Sequence, residues 1–259
     1  MEILQHNNLA QFLGFIPKIK NNVQDWKLVN VSLEKGTEGS IFYLAKKVFE
    51  FFQDKEGEIF ICNGREMLAL VHTGKGADAL ALQKNMQARF PEYKCIIDIV
   101  APTNDGLQKI EVRLKQEKSD EAAAAGASPM LKERQNRQKN VIMIAEDDMF
   151  MRSLVKKAVD PHGDVTALED GTAVVDTYLK ILPDIVFLDI HLPAKSGIEI
   201  LNEILAFDRD AHVVMLSSDS AKDNVLNTQK IGAKGFIAKP FTKEKLEETL
   251  WKCSTMTGK

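Results

Sequence analysis

The fold of the C-terminal half follows from the segment Ile185-Val186-Phe187-Leu188-Asp189, four apolar residues that end in an aspartate. Continuous apolar runs of this kind are typical of strands that are buried on both faces of a parallel sheet. Three other short apolar runs end in the same way, and the polar residues that follow or close them are Glu146 and Asp147, Ser217, and Lys239. The carboxyl ends of parallel strands meet at one edge of a sheet, where ligands bind, so we expect these side chains to converge.

Helical patterns separate the apolar runs. Residues 197–207, for example, place Ile198, Leu201 and Leu205 at the spacing of one helix face. A further short strand is expected at Val165–Leu168. This alternation over about 115 residues predicts an α/β fold, a doubly wound parallel sheet with helices on both faces.

The polar residues at the strand ends form a candidate phosphoryl-transfer site. The carboxylates of Glu146, Asp147 and Asp189 repel one another unless a cation joins them, and an all-oxygen ligand set favours Mg²⁺. An ionised aspartate placed beside such a cation can attack phosphorus. The Lys239 ammonium and the Ser217 hydroxyl would then bind the phosphoryl oxygens. The residues alone therefore predict a magnesium-dependent site with Asp189 as the nucleophile.

Four sequence motifs, in this order, resemble the receiver domain of bacterial two-component response regulators: IAEDD, IVFLDIHLPAKSG, VVMLSS and GAKGFIAKPF. The resemblance covers residues of about 140–253. It implies a flavodoxin-like, five-stranded parallel sheet in the order 2-1-3-4-5. It also implies that Asp189 accepts a phosphoryl group from a phosphohistidine, carried by a sensor histidine kinase or a histidine phosphotransfer protein. Such a domain phosphorylates and dephosphorylates itself and is otherwise no enzyme.

The resemblance assigns a role to each polar residue of the site. It implies that four groups hold the Mg²⁺ ion: the carboxylates of Glu146, Asp147 and Asp189, and the backbone carbonyl of His191. It further implies that Ser217 and Lys239 contact the phosphoryl group, and that Phe236 is the ring that repositions when Ser217 is drawn inward. Four positions depart from the commonest pattern. Glu146 stands where Asp is frequent, Ser217 where Thr is usual and Ser218 where a small apolar residue is typical, and Phe236 has no phenolic hydroxyl. None of these replacements removes a chemical group that the site needs.

Two other interpretations of these residues remain open. A degenerate receiver would keep the fold as a protein-binding scaffold without phosphorylation, although the intact acidic pair, Asp189 and Lys239 argue against it. A phosphohydrolase that forms an aspartyl phosphate would carry an Asp-x-Asp motif, whereas here His191 stands two residues after Asp189. The segments between strands are also too short for the cap domain of such an enzyme.

The chain is long enough, at 259 residues, for two domains of ordinary size. Residues 115–139 combine charges, an alanine run, a glycine and a proline with few large apolar side chains, and this composition predicts a flexible linker. We therefore expect an N-terminal domain over residues 1–114 and the receiver domain over residues 140–259.

The N-terminal domain is predicted to be α+β. Its patterns predict strands at Val29–Leu33, Glu58–Cys62, Met67–His72, Cys95–Val100 and Ile110–Leu114, and helices at Ser40–Phe52 and Asp78–Phe90. The order β-α-β-β-α-β indicates a ferredoxin-like sandwich. The loop His72–Ala77 lacks the spacing of a phosphate-binding loop, so we expect an ordinary turn there. We expect dimerisation or partner binding, rather than catalysis, from this domain.

Composition and charge narrow the class of protein. Residues 1–118 carry a net charge of +1 and residues 140–259 a net charge of −5, so neither half attracts nucleic acid electrostatically. The cysteines, Cys62, Cys95 and Cys253, lack metal or disulfide spacing, which suits a reducing compartment. The sequence shows neither a convincing signal peptide nor a long apolar run, so we expect a cytoplasmic protein without a membrane segment.

Overall fold

The chain folds into two units, Met1–Pro129 and Met130–Lys259. The computed structural model describes residues 2–3, 9–19, 22–34, 40–112, 128–218 and 228–257. Within these ranges no helix has the length and apolar character that crossing a membrane requires.

The described residues of the first unit form one five-stranded sheet and four α-helices. The strands are β1 (Glu2–Ile3), β2 (Trp26–Leu33), β3 (Gly57–Asn63), β4 (Glu66–His72) and β5 (Cys95–Val100). The helices are α1 (Leu9–Ile19), α2 (Ile41–Phe51), α3 (Ala79–Arg89) and α4 (104–112). The sheet order is β1-β3-β4-β2-β5, and only the pair β1–β3 is parallel. Without the short β1, this is the antiparallel order of the predicted ferredoxin-like fold.

Local signals explain where the two predicted helices of this unit begin. The Ser40 hydroxyl accepts a hydrogen bond from the Phe42 amide at 3.2 Å and caps α2. The Asp78 carboxylate accepts one from the Leu80 amide at 2.9 Å and caps α3. Both are side-chain acceptors for amides that have no partner inside the helix.

The strand predicted at Ile110–Leu114 is wrong, because residues 104–112 are helical. The Thr103 hydroxyl accepts a hydrogen bond from the Gly106 amide at 3.0 Å and starts α4. Leu107 is buried in a cluster with Phe12, Trp26 and other apolar residues, and Ile110 packs against the same cluster. Leu107 and Ile110 are three residues apart, so they lie on one face of a helix. Their packing in the core outweighs the local alternation of apolar residues that predicted a strand. Leu114 lies outside the described residues.

The second unit is a parallel α/β sandwich. Its strands are β6 (Val141–Ala145), β7 (Asp164–Leu168), β8 (Ile185–Asp189), β9 (Val213–Ser217) and β10 (Gly235–Ala238). Its helices are α5 (Pro129–Gln135), α6 (Met149–Val159), α7 (Val174–Ile181), α8 (Gly197–Phe207), α9 (228–231) and α10 (Lys243–Leu250). The sheet order β10-β9-β8-β6-β7 confirms the predicted order 2-1-3-4-5, and every neighbouring pair is parallel.

The predicted linker, 115–139, extends too far toward the C-terminus. Residues 129–135 form α5, and Arg134 in this helix is buried. The Arg134 guanidinium donates hydrogen bonds to the Asp208 carboxylate, to the Tyr178 hydroxyl and, at 2.8 Å, to the Pro183 carbonyl. Long-range polar contacts therefore attach this segment to the second unit although its composition is polar. Residues 113–127 lie outside the described residues.

Candidate functional site

Three carboxylates meet at the carboxyl edge of the second sheet. One oxygen each from Glu146, Asp147 and Asp189 lies within 4.8 Å of the others. Glu146 is fully buried and Asp189 is 3% exposed, whereas Asp147 faces solvent. The sequence prediction that these three side chains converge is therefore confirmed as geometry.

The neighbouring strands β6 and β8 place these groups side by side. Ala145, which precedes Glu146, pairs with Leu188, which precedes Asp189. The Glu146 amide donates to the Leu168 carbonyl at the end of β7, at 3.1 Å. The loop after β6 is thus anchored to the strand on its other side.

Gly197 allows the close approach of α8 to the loop after β8. A Cβ atom on this residue would lie 2.1 Å from the Asp189 carbonyl oxygen, closer than any real contact. The Gly197 amide donates to the Ile190 carbonyl at 2.9 Å. A residue without a side chain is therefore required where the helix begins beneath the site.

Lys239 brings a positive charge into the acidic cluster. Its ammonium lies 2.7 Å from an oxygen of Glu146 and 3.0 Å from Asp189 Oδ2. The Lys239 amide donates to the Ser217 carbonyl at 2.7 Å, which continues the pairing of β10 with β9. One ammonium faces three carboxylates, so the cluster keeps an excess of negative charge.

The ionisation of two groups reflects this arrangement. Burial raises the pKa of Glu146, as do the nearby charges of Asp189 and Asp147, while the hydrogen bond and charge of Lys239 act in the opposite sense. Burial lowers the pKa of Lys239, but its contacts with Glu146 and Asp189 outweigh that effect and raise it. Lys239 therefore stays cationic, whereas the raised pKa makes Glu146 easier to protonate than an exposed glutamate.

The other predicted residues lie around this cluster. Ser217 ends β9 and is fully buried, one residue beyond Leu216, the register partner of Asp189. Phe236 lies in β10 opposite Met215 and is partly buried. The exposed His191 follows β8, and its amide lies 3.4 Å from Asp189 Oδ1. The roles of Ser217 and Phe236 in switching and of the His191 carbonyl as a ligand stay predictions.

The donor set fits a hard divalent cation. Its three carboxylates can each supply an oxygen, and the one exposed member, Asp147, leaves a side open to water. Mg²⁺ takes oxygen ligands, keeps part of its own hydration shell, and would neutralise the excess negative charge. A small cation at this position is the arrangement that the residues favour.

Sequence reasoning missed one residue of this region, Arg152 in α6. One of its terminal nitrogens donates to the backbone carbonyls of Glu146 and Asp147, at 2.7 and 2.9 Å. The other lies 3.4 Å from Glu169 at the end of β7. An arginine four residues after the helix cap Asp148 was the available signal, but spacing alone does not show which carbonyls it reaches.

The loop His72–Ala77 is a turn, as predicted. The Thr73 and Gly74 amides donate to the Asp25 carbonyl at 2.8 and 3.0 Å, and Gly74 and Gly76 have positive φ angles. The start of α3 is capped by the Asp78 carboxylate. A negative charge already occupies the helix end that a phosphate would need.

Comparison with known proteins agrees with the geometry. The family described as "Response regulator receiver domain" matches residues 142–250. The chemotaxis protein CheY of Listeria monocytogenes is 40% identical over 115 residues, which are 44% of this chain and 97% of that protein. The CheY of Thermotoga maritima is 35% identical over 115 residues, 44% of this chain and 96% of that protein. A solved CheX–CheY–BeF3–Mg complex from Borrelia burgdorferi is 30% identical, covers 44% of this chain and 87% of that chain, and has a TM-score of 0.41.

Proposed function

Because this chain belongs to the response regulator receiver family, we propose that its second unit accepts a phosphoryl group on Asp189 in a Mg²⁺-dependent reaction. The observation that carries the proposal is the convergence of Glu146, Asp147 and Asp189 within 4.8 Å, with Lys239 in contact with two of them. A buried cluster with excess negative charge lowers stability, so function is the reason to expect it. We place this reaction in cytoplasmic two-component signalling.

The donor is a phosphohistidine on a sensor histidine kinase or a histidine phosphotransfer protein. An Asp189 carboxylate oxygen forms a bond to phosphorus, the bond from phosphorus to the imidazole nitrogen breaks, and the electron pair remains on that nitrogen. Glu146, Asp147, Asp189 and the His191 carbonyl would hold Mg²⁺, which supplies positive charge to the phosphoryl oxygens. Lys239 moves its hydrogen bond from the Asp189 carboxylate to a phosphoryl oxygen, and the Ser217 hydroxyl donates to another.

An exposed apolar pair beside the site supports docking of a protein donor. Met149 and Phe150, in the first turn of α6, are 73% and 72% exposed. They follow directly on the loop that carries Glu146 and Asp147. Large exposed apolar side chains next to a reactive group are typical of a protein-binding surface. A protein that presents its phosphohistidine to Asp189 would cover this pair.

The first unit supplies the output in this proposal, through self-association or binding of a partner protein. Ile96 and Val100 of β5 are 51% and 52% exposed on one face of the sheet. Among the described residues, β5 pairs only with β2 and is therefore an edge strand, although the Gln83 side chain donates a hydrogen bond to its Ile97 carbonyl at 2.6 Å. The substitution Ile96→Lys should reduce association in sedimentation experiments without unfolding the unit, while Lys84→Ala, on an exposed part of α3, serves as the control.

Phosphoryl incorporation from acetyl phosphate tests the central step. The wild type should be labelled in Mg²⁺ and remain unlabelled with a chelator, and Asp189→Ala should remain unlabelled in both. Asp210→Ala removes an exposed carboxylate at the opposite edge of the sheet and should be labelled as the wild type is.

Two results would decide against the proposal. Labelling of Asp189→Ala at the wild-type level would place the phosphoryl group elsewhere. Absence of labelling in the wild type, together with no response to beryllofluoride, would favour the degenerate receiver that serves as a scaffold.

A further inference from the structure

We propose that Arg152 is a positioning residue for the metal site, an inference that rests on the proposed function. Its guanidinium contacts the acidic cluster through backbone carbonyls and not through the carboxylates. It holds the backbone carbonyls of the two consecutive residues, Glu146 and Asp147, that carry two of the three acidic side chains. By fixing those carbonyls it fixes the directions in which the two carboxylates leave the backbone.

Apart from Lys239, which holds the Glu146 carboxylate itself, the loop after β6 has few other attachments that could fix its backbone. The Glu146 amide is held by the Leu168 carbonyl at 3.1 Å, and Asp148 caps α6 by accepting from the Met151 amide at 2.8 Å. Asp147, between them, is exposed, and Arg152 supplies the hydrogen bond to its carbonyl. Without Arg152 the peptide after Asp147 would lose a restraint at the position where a ligand must be held.

Charge adds to the effect of geometry. The Arg152 side chain is 18% exposed, and its salt-bridge partner Glu169 is 76% exposed and 3.4 Å away. That partner is too solvated and too distant to neutralise the guanidinium fully. Arg152 thus places a second cation, after Lys239, beside a cluster with excess negative charge.

The surroundings of Arg152 allow a substitution to be made cleanly. A cleft of about 320 Å³ lies beside it, lined also by Leu168, Glu169 and Asp170. Water that enters this cleft can bind the two carbonyls when the guanidinium is removed, so the fold should survive. Arg152→Met retains the length of the apolar stem and removes only the charge and the donors.

Direct metal titration separates positioning from a purely structural role. Mn²⁺ binding to the full chain, measured by electron paramagnetic resonance, should weaken about 10-fold in Arg152→Met, the usual effect of losing an outer-shell partner. Lys156→Met, which removes an exposed charge from the same helix, should bind as the wild type does. Arg152→Lys keeps an N–H donor and a positive charge and should recover at least half of the loss on a logarithmic scale.

The same variants should separate binding from chemistry in the acetyl phosphate reaction. In Arg152→Met the Mg²⁺ concentration for half-maximal rate should rise about 10-fold, while the rate at saturating Mg²⁺ should stay within threefold of the wild type. A role confined to stability would instead lower the melting temperature and leave both metal measurements unchanged.

Two outcomes would overturn the proposal. One is a Mn²⁺ affinity of Arg152→Met that lies within threefold of the affinity of Lys156→Met. The other is an equal Mn²⁺ affinity in Arg152→Lys and Arg152→Met. If Arg152→Met is unfolded by circular dichroism, Arg152→Gln replaces it under the same threefold criterion. A wild type that binds no Mn²⁺ is a different result, because it would contradict the proposed function before Arg152 is considered.

Discussion

The two edges of the second sheet both hold charged clusters, but only one of them is balanced. At the amino ends of the strands, Arg134 and Arg137 face Asp208 and Asp184, two cations against two anions. At the carboxyl ends, Lys239 faces Glu146, Asp147 and Asp189. A balanced buried cluster contributes to a unique fold, whereas an unbalanced one is suited to bind a ligand that completes it.

Hydrogen bonding reinforces this difference between the edges. The Tyr178 hydroxyl donates to the Asp208 carboxylate at 2.6 Å, and the Asp184 carboxylate accepts from the Val141 amide at 2.8 Å. Arg137 donates to the Ile181 carbonyl at 2.8 Å. Protein groups occupy most donors and acceptors at this edge, and among the described residues the exceptions are Arg134 Nη1, Arg137 Nε and Asp184 Oδ1. The exposed Asp147 leaves the carboxyl edge open to solvent and to a ligand.

The largest expected effect on the reaction rate follows from removing the Lys239 ammonium at the carboxyl edge. Lys239→Met should lower the rate of phosphoryl incorporation about 100-fold, because one preorganised donor to the phosphoryl oxygens is lost. The measurement is the initial rate with acetyl phosphate at saturating Mg²⁺. Arg134→Met should leave that rate within a few-fold as long as the protein remains folded. Similar rate losses in both variants would erase the functional contrast between the edges.

The second effect is the loss of stability when the amino edge is unbalanced. Arg134→Met should lower the free energy of unfolding by about 3–5 kcal/mol, since it leaves the buried Asp208 carboxylate without its cation. Urea unfolding of the full chain, followed by circular dichroism, measures this change. The double variant Arg134→Met with Asp208→Leu should recover part of the loss. An Arg134→Met variant as stable as Arg209→Met, which removes an exposed charge, would contradict the interpretation.

A third prediction concerns pH at the amino edge. Burial, followed by the nearby charges of Lys234 and Arg134, lowers the pKa of His212 to about 4. The unfolded chain protonates this imidazole near pH 6.5, whereas the folded chain keeps it neutral until the pH is about 4. Stability is then lost progressively as the pH falls from about 6.5 to about 4, by about 1–3 kcal/mol. His212→Gln should flatten this part of the curve of unfolding free energy against pH, and an unchanged slope would exclude the role.

The smallest effect is a gain in stability at the carboxyl edge. Asp147→Asn removes one of three mutually repelling carboxylates and should raise the free energy of unfolding by about 1 kcal/mol without metal. Mg²⁺ should stabilise the wild type and not the variant, because a ligand that binds the folded state shifts the unfolding equilibrium. Thermal melts with Mg²⁺ and with a chelator test both statements. Equal responses to Mg²⁺ would show that Asp147 is no ligand.

The sequence by itself determined the second sheet and the residues at its carboxyl edge. Strands such as Ile185–Asp189 are short, wholly apolar and separated by helical patterns, so their local signals agree with the final fold. The convergence of Glu146, Asp147, Asp189 and Lys239 follows because polar residues that end parallel strands share one edge. The strand order 2-1-3-4-5 was implied by the resemblance to receiver domains.

Only the tertiary structure decided which residues stabilise the amino edge of the second sheet. Arg134 lies in a polar segment, PMLKERQ, and its partners Tyr178 and Asp208 are 44 and 74 residues away. No local pattern marks a charge that becomes buried through contacts at such separations. The same limit applies to α4, whose sequence alternates like a strand although Leu107 packs into the core as part of a helix. It also applies to Arg152, because the two carbonyls that it binds come within reach only when the loop after β6 has folded. Local periodicity specifies secondary structure, whereas long-range partners, which the folded chain alone brings together, decide which polar groups are buried.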